Sequence, residues 1–370
     1  MRTDRSQYSP SPADQHRSPR NRPWQRTRGF TLIELLVVIS IISLLISLLL
    51  PSLASARRAA QRVACLGTMR GVSQAQSSYT SDNDGWIPGS PQTTGLYLRG
   101  APAAYGPAVQ RWDFMGPLAE IMGLGIPQGD GSPDSIIRRF NELRSSPAFL
   151  CRSNRFLSTY YPSPGAPNAG TGRMVSMNTV RAQLTLFSTT GTDPRAQGMV
   201  NASTNSDNLP STYGPVVNRL GIPANKIFCA DGARYSSSTS GEEVQPDYDL
   251  APEAGFGGAF CDSGGWANFS KSWDRSRAPG NGYIGRYDAR IWGFRHANSD
   301  PPVGAAANAF KINLIFHDGH GETQGDLDST NPHQWLPQGT IVGLSNVWRD
   351  TRLRFNLSPG PGGAGIRIGP

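Results

Sequence analysis

Histidines gather near the C-terminus of this chain, where they could ligate a metal ion. His296, His317, His320 and His333 are four of its five histidines, and Asp318 stands among them. Imidazole and carboxylate groups together suit zinc or another transition metal. His317 and Asp318, however, are neighbours at the end of a strand-like run, so their side chains point to opposite faces. We therefore predict strand and turn residues beside a hairpin here, with no bound metal or other cofactor.

The four cysteines could form disulfide bonds in an exported protein, outside the reducing cytoplasm. They are Cys65, Cys151, Cys229 and Cys261, and the sequence contains no C-x-x-C pair, which argues against redox catalysis and a zinc ribbon. Cys65 falls in a helical region close to a membrane segment described below. We therefore predict a disulfide between two of Cys151, Cys229 and Cys261, and the sequence does not distinguish among these pairings.

No arrangement typical of an enzyme is present in the sequence. It contains no G-x-S-x-G elbow, no P-loop and no H-E-x-x-H zinc motif. Gly and Pro account for 72 of the 370 residues, which predicts many turns but stays below the ~25–30% typical of a disordered low-complexity chain. We therefore expect a folded structural or interaction protein and not an enzyme.

The net charge of +8 is confined to the two flanks of one apolar segment. Residues 1–29 carry seven arginines against two aspartates, and residues 30–70 carry four arginines against one glutamate. The remaining 300 residues hold 24 basic and 24 acidic side chains. Because a nucleic-acid-binding domain would carry a basic patch, this distribution argues against a nucleic-acid partner and is typical of a membrane anchor.

Residues 30–50 are the apolar segment, and Glu34 is the only charged residue among them. Twenty-one residues give a helix of about 31 Å, which matches the ~30 Å hydrocarbon core of a bilayer. The larger number of arginines before the segment predicts that the N-terminus stays in the cytoplasm and that the 300 residues after it are exported.

The start of this segment carries a recognisable processing signal. Residues 27–39 read TRGFTLIELLVVI, with Gly29 before Phe30 and Glu34 at the fifth position counted from Phe30. This pattern resembles the signal of type IV prepilins and type II secretion pseudopilins. The resemblance implies cleavage between Gly29 and Phe30 by a prepilin peptidase and N-methylation of Phe30. It also implies assembly with other pilin-like subunits on a secretion or pilus assembly platform.

Glu34 has a separate physical reason to be functional. A carboxylate in a membrane helix costs about 2.5–3.5 kcal/mol at the bilayer centre and less near a helix end, so such a group usually has a partner. In the family that the chain resembles, the partner is the α-amino group of the first mature residue of a neighbouring subunit. A plainer interpretation is a glutamate that reaches the membrane interface.

An ordinary secretory signal is the competing interpretation of the N-terminus. Residues 54–56 read Ala-Ser-Ala, as a signal peptidase site would. A secretory signal has an apolar core of ~7–15 residues and would not carry Glu34 inside it, so we favour cleavage after Gly29. A mature chain that starts at Arg57 would contradict this choice.

After the membrane segment, apolar residues recur at intervals of three and four, which predicts a helix through residues 51–80. Residues 82–85 read Asp-Asn-Asp-Gly and predict a helix-ending turn, although the same oxygens could ligate calcium. We also predict a helix near Asp134–Leu143. Strand-like runs lie at 173–180, 226–230, 282–294 and 310–317, and the Asp-Gly pairs at 231–232 and 318–319 indicate hairpin turns.

The sequence therefore predicts an α+β protein, in which a long N-terminal helix leads into a head with an antiparallel sheet and long Gly/Pro-rich loops. The predicted organisation is a cleaved basic leader (1–29), a transmembrane helix (30–50), its exposed continuation (51–80) and an exported head (81–370) with room for an inserted lobe. His296 and the later Asp318-Gly319 resemble the His…Asp-Gly C-terminal motif of pilin-like proteins with large heads, at a longer spacing.

These features predict a prepilin-like structural subunit, anchored by one helix in the inner membrane, with its head in the periplasm or on an extracellular fibre. It would assemble into a type II secretion pseudopilus or a type IV pilus-like fibre. The alternative is a membrane-anchored exported module that recognises glycans or a secreted substrate, because eight tryptophans and long loops leave room for a binding surface.

Overall fold

A computed structural model describes 14 stretches of the chain. These are residues 29–89, 113–126, 133–154, 157–158, 172–173, 175–184, 207–232, 261–262, 264–267, 283–284, 287–288, 292–297, 305–363 and 365–370. The chain divides into two compact units, Met1–Ser52 and Leu53–Pro370. Each unit is described separately below.

Helix α1 is the longest element and spans Leu32–Asp82. It ends because the next residues adopt left-handed backbone conformations, with φ of 50° at Asp84 and 80° at Gly85. The Gly85 amide donates to the Thr80 carbonyl over 2.7 Å, and the Asn83 side chain donates to the Tyr79 carbonyl over 2.8 Å. The predicted helix-ending turn is confirmed. Helix α1 itself ends at Asp82, two residues after the predicted end at residue 80.

Five shorter helices follow among the described residues of the second unit. Their bounds are α2 Met115–Ile121, α3 Pro133–Ser145, α4 Arg181–Leu184, α5 Pro332–Trp335 and α6 Arg349–Arg354. Helix α3 confirms the helix predicted near Asp134–Leu143. Asp113 starts α2, since its carboxylate accepts from the amides of Met115 and Gly116 over 2.9 Å each.

Twelve strands are present in the described part of the second unit. They are β1 Leu157–Ser158, β2 Gly172–Arg173, β3 Met177–Val180, β4 Asp207–Asn208, β5 Ile227–Asp231, β6 Cys261–Asp262, β7 Tyr283–Ile284, β8 Tyr287–Asp288, β9 Lys311–Phe316, β10 Gly321–Gly325, β11 Ile341–Val342 and β12 Ile366–Arg367. The predicted runs at 173–180, 226–230 and 310–317 correspond to β3, β5 and β9. The run at 282–294 contains only the short β7–β8 hairpin and a bridge at Trp292, and its other residues include positions outside the described part.

The central sheet has the strand order β10-β9-β5-β3-β6. Strands β10, β9, β5 and β3 pair with one another in antiparallel fashion, and the short β6 pairs in parallel with β3. A long helix followed by a mainly antiparallel sheet confirms the predicted α+β class.

Two apolar clusters cover the central sheet. The first joins Met69, Val72 and Tyr79 of α1 to Phe228 of β5 and Ile315 of β9. Because alternate residues of a strand face opposite sides, the neighbouring side chains of β9 belong to the second cluster, which also contains the fully buried Trp266, Trp292 and Trp335. The sheet therefore packs on the C-terminal part of α1, as the sequence predicted.

A buried lysine joins the sheet to the end of the chain. Lys226 directly precedes β5, and its ammonium group donates to the carbonyls of His333, Leu336 and Gly369 over 2.8–3.0 Å. Burial lowers the pKa of Lys226 to about 8. The three carbonyls replace the water that this charge loses on folding, so Lys226 holds the C-terminal segment against the head.

Candidate assembly segment and buried clusters of the head

The predicted cleavage site lies in an exposed stretch just before α1. Gly29, Phe30 and Thr31 precede the first helical residue, Leu32. The Phe30 side chain is 70% exposed, and a side-chain carbon added at Gly29 would meet no atom within 4 Å. The backbone between Gly29 and Phe30 is therefore accessible to a peptidase, and the fold itself does not require glycine at position 29.

Glu34 takes part in a hydrogen-bonded cap at the start of α1. Its Oε2 accepts from the Thr31 amide over 2.8 Å and from the Thr31 hydroxyl over 2.9 Å. The Glu34 amide in turn donates to the Thr31 hydroxyl over 3.2 Å. This reciprocal arrangement is a capping box, which satisfies two backbone donors that a helix start otherwise leaves unpaired.

The capping box gives Glu34 a role in folding beside the predicted role in assembly. Both Thr31 donors use Oε2, so Oε1 can accept from a further cationic donor. The pattern T-x-x-E at 31–34 is a known sequence signal for a helix start, and our sequence interpretation missed it. The predicted assembly role of Glu34 stays a prediction.

The first part of α1 presents apolar side chains on all sides. Between Leu32 and Leu53 the large apolar side chains are 43–79% exposed within the chain. An 18-residue window of the helix has a mean hydropathy of 2.9, and α1 is the one helix of the described residues that is long and apolar enough to cross a membrane. The hydroxyls of Ser40 and Ser47 donate to carbonyls within the helix, so lipid would not leave them unpaired. The segment fits single-pass membrane anchoring.

The competing signal peptidase site lies inside this same helix. Residues 54–56 are part of α1, which continues without interruption to Asp82. By contrast, the bond after Gly29 lies outside the helix. The backbone is therefore non-helical at Gly29–Phe30 and helical at residues 54–56.

The Asp318–Gly319 pair forms the predicted hairpin between β9 and β10. Gly319 has a φ of 93°, and its amide donates to the Phe316 carbonyl over 3.0 Å. Asp318 accepts from both the amide and the ring of His320, over 3.1 Å and 2.6 Å. These hydrogen bonds, together with the charge of His320, lower the pKa of Asp318 against the opposing effect of burial.

His317 is buried at the base of this hairpin and bridges two helices. Its Nε2 donates to the Gln183 side chain over 2.8 Å, and its Nδ1 accepts from the Gln76 side chain over 3.4 Å. Burial lowers the pKa of His317 to about 3. The imidazole is therefore neutral and occupied on both nitrogens, which leaves it unsuited to ligate a metal.

His296 contacts a different Asp-Gly pair from the one that the sequence suggested. Its Nε2 lies 2.9 Å from Oδ2 of Asp231, at the end of β5, and both side chains are buried. The same carboxylate oxygen accepts from the Asn313 amide over 3.0 Å, and the Arg295 guanidinium lies 4.0 Å from its other oxygen. The motif of His296 with Asp318 and Gly319 stays a prediction, whereas Asp231 is a partner that sequence reasoning treated only as a turn residue.

Cys151 lies beside Cys65 of α1. The two sulfurs are 2.7 Å apart, and both side chains are buried. The Cys229 thiol is buried as well, and the side chain of Cys261 is outside the described part of the structure. The predicted disulfide among Cys151, Cys229 and Cys261 stays a prediction, but the structure brings Cys151 to the cysteine that this prediction set aside.

Cys151, His296 and Asp231 are adjacent but do not form a catalytic relay. Such a relay needs a histidine that contacts the nucleophile with one nitrogen and the carboxylate with the other. Here Nε2 of His296 lies 3.5 Å from the Cys151 sulfur and also faces Asp231. Burial raises the pKa of Cys151 well above its usual value, which disfavours the thiolate that a catalytic cysteine needs in the folded head.

Cys65, Cys151 and His296 are also the one group of three potential metal ligands gathered within 4.8 Å among the described residues. The histidines of the C-terminal region do not meet this criterion together. His320 and His333 instead line an open cavity of about 340 Å³ with Glu322 and Asn331. Nδ1 of His333 accepts from the Gly369 amide over 2.8 Å.

Comparison with known proteins places a recognised motif at the N-terminus. Residues 24–50 match the family model described as the prokaryotic N-terminal methylation motif. This motif is diagnostic of proteins processed like type IV prepilins and pseudopilins, so the recognition based on residues 27–39 is confirmed. The match does not extend to the C-terminal motif. No curated protein and no solved structure matches the chain.

Proposed function

Because the chain carries the N-terminal methylation motif of prepilin-processed proteins, we propose that it is a structural subunit of a type II secretion pseudopilus or a type IV pilus-like fibre. In this proposal a prepilin peptidase cleaves the bond between Gly29 and Phe30, and Phe30 becomes the methylated N-terminus. The subunit then assembles with other pilin-like subunits through α1. It acts by assembly and not as an enzyme.

The exposed first part of α1 is the observation that carries this proposal. A helix with apolar side chains on every side must be covered by lipid or by other apolar helices. Before assembly the bilayer covers it, and in a fibre the helices of neighbouring subunits replace the lipid. Oε1 of Glu34 would meet the α-amino group of a neighbouring Phe30 during this exchange.

The arginines on the two flanks support a defined orientation. Seven arginines precede the helix and four follow it up to residue 70, which favours a cytoplasmic leader. The head would then lie in the periplasm, or on an extracellular fibre after assembly. The expected partners are the prepilin peptidase, the assembly platform and inner-membrane lipid.

Three of the eight tryptophans lend no support to the alternative of a glycan-binding module. Sugar-binding sites present exposed aromatic rings, but Trp266, Trp292 and Trp335 are fully buried in the second apolar cluster. Trp292 and Trp335 contact each other edge to face, with ring centroids 4.5 Å apart. These tryptophans therefore stabilise the head and are not available to a glycan.

Mass spectrometry of the mature N-terminus tests the proposed function. We expect the mature chain from the native host to begin at a methylated Phe30. Gly29→Val should cause the full-length precursor to accumulate at least about tenfold, because a branched side chain would obstruct the peptidase. Gly67→Ala is the matched control, since Gly67 also has open space around it, and it should be processed normally.

Two results would contradict this proposal. A mature chain that starts at Arg57 would show that signal peptidase removes the anchor. An intact N-terminus in membrane-inserted protein would show that no prepilin peptidase acts on the chain.

Recovery of mature protein in fibres sheared from cells, and its loss when the assembly ATPase of the host system is deleted, would identify the machine that uses it.

A further inference from the structure

Two cysteines meet where the buried stripe of α1 begins. Cys65 is the first buried residue of the helix, and Cys151 lies two residues after the 3-10 turn Pro147–Phe149. The residues are 86 positions apart, but their sulfurs are separated by 2.7 Å. Nonbonded heavy atoms settle at about 3.5–4.0 Å, and a disulfide holds its sulfurs at about 2.05 Å. The two thiols are free in this structure, and their sulfurs would have to approach by only about 0.7 Å to form the bond.

We propose that Cys65 and Cys151 form a disulfide bond that fastens α1 to the head. The inference rests on the proposed export of the head, because disulfides persist in oxidising compartments. The bond would hold α1 at Cys65, where the buried stripe of the helix begins. The disulfide would be a second covalent link between α1 and the head, in addition to the backbone that leaves the helix after Asp82.

The reaction is an ordinary thiol–disulfide exchange. While the head folds and before the two thiols are buried, Cys65 supplies the attacking thiolate. It attacks the disulfide of an exported oxidoreductase or of oxidised glutathione, forms a mixed disulfide and releases one donor thiolate. Cys151 then loses its proton, attacks the Cys65 sulfur and releases the second donor thiolate. The protein loses two electrons and two protons, and the donor disulfide is reduced to two thiols. Since both sulfurs are buried in the folded head, exchange takes place while the head folds.

The surroundings favour a disulfide over a metal centre. A tetrahedral zinc ion with Zn–S bonds of about 2.3 Å holds two thiolates about 3.8 Å apart, which would require these sulfurs to separate by about 1 Å. The third candidate ligand, Nε2 of His296, already faces Asp231 at 2.9 Å. The charge of Asp231 also disfavours both thiolates, whereas a disulfide carries no charge.

Trapping of free thiols followed by peptide mapping tests the bond. Cells that produce the full chain are quenched in acid, alkylated with N-ethylmaleimide and digested with trypsin without reduction. Trypsin releases Cys65 in peptide 63–70, Cys151 in peptide 145–152 and Cys229 in peptide 227–234. We expect a linked pair of the first two peptides, two hydrogen masses lighter than their sum, and an alkylated Cys229. Cys229→Ala is the matched control and should keep this link.

A second arm of the experiment separates the bond from export. Purified, reduced full chain in detergent is equilibrated with glutathione buffers of increasing oxidation. Formation of the 65–151 link in these buffers but not in cells would support the pairing and contradict the proposed export. Free or separately glutathionylated Cys65 and Cys151 under all conditions, a link between other cysteines, or stoichiometric zinc with both thiols protected would each overturn the disulfide.

Thermal unfolding of the wild type with and without reductant gives a second readout. Closing a loop of this length lowers the entropy of the unfolded chain, so reduction of the wild type should lower Tm by about 5–10 °C. Cys65→Ser with Cys151→Ser should show the lower Tm and no further response to reductant. An unchanged Tm on reduction of a linked sample would contradict the fastening role.

Discussion

The two parts of α1 belong to one helix but bury their side chains in different ways. In residues 32–52 the apolar side chains are exposed all around, whereas in residues 53–82 one stripe, including Met69 and Val72, is fully buried. The second part thus contributes to the core of the head, whereas the first part exposes its apolar side chains. The comparison shows that helix continuity does not imply a shared role. The second part stabilises the subunit, whereas the first part leaves its apolar side chains uncovered by the chain.

The polar residues of α1 follow the same division. Glu34 bonds within its own exposed helix turn, whereas Gln76 is buried and donates to His317 across the head. Substitutions in the second part should therefore change folding of the head. Substitutions in the first part should change assembly and leave the stability of the head intact.

The largest expected effect is on stability, from removing a core side chain of the second part. Met69→Ala should lower the free energy of unfolding by about 2–5 kcal/mol, because Met69 is fully buried in the cluster with Phe228 and Ile315. Denaturant unfolding of the full chain in detergent, followed by the fluorescence of the buried tryptophans, measures it.

Val63→Ala is the matched control in the same part of the helix. The Val63 side chain is 65% exposed, so its truncation should change the free energy of unfolding by less than about 0.5 kcal/mol. Equal losses for Met69→Ala and Val63→Ala would contradict the packing of the buried stripe on the sheet.

The second-largest expected effect is the pH dependence of the free energy of unfolding that the buried His317 causes. Burial lowers the pKa of His317 to about 3, with a small opposing effect of Asp318, whereas an unfolded histidine titrates near 6.5. Between these values the unfolded chain binds the extra proton, so stability contributed by the neutral imidazole is complete above pH 6.5 and is lost as the pH falls. By pH 5 this loss amounts to about 2 kcal/mol.

Unfolding free energies measured from pH 7 to pH 5 check this dependence. His317→Gln cannot titrate, so its slope should be smaller than that of wild type by up to about 1.4 kcal/mol per pH unit. His320→Gln is the control, because His320 is 43% exposed in its side chain and lies on the same hairpin. The reverse result, a changed slope only in the His320 variant, would show that the buried imidazole is not the acid-sensitive group.

Local patterns predicted the parts of this molecule that depend on neighbouring residues. The signal at 27–39, the turn at 82–85, helix α3 and the hairpin at Asp318–Gly319 each follow from residues close in sequence. The capping box of Thr31 and Glu34 is equally local, and the T-x-x-E pattern was sufficient to predict it.

The buried clusters could not be predicted, because they depend on long-range packing. Cys65 and Cys151 are far apart in sequence, and the proximity of Cys65 to the apolar segment suggested that it was out of reach. Asp231 and His296 meet only because β5 ends where the segment 292–297 bridges to Gly232. A single sequence carries no signal for that register. The two Asp-Gly pairs look alike in the sequence, yet Asp318 is exposed and Asp231 is buried.

The smallest expected change in free energy separates the two roles of Glu34. Glu34→Gln keeps a side-chain acceptor for Thr31, since glutamine also completes a capping box, but it removes the charge. Glu34→Ala removes both. If the charge pairs with the amino group of Phe30, both variants should incorporate into sheared fibres at least about tenfold less than wild type, which corresponds to about 1.4 kcal/mol. Processing at Gly29 and head stability should be unchanged, because Glu34 lies in the first part of α1. Normal incorporation of Glu34→Gln with a defect only in Glu34→Ala would show instead that Glu34 serves the helix start, and that another feature of the exposed segment directs assembly.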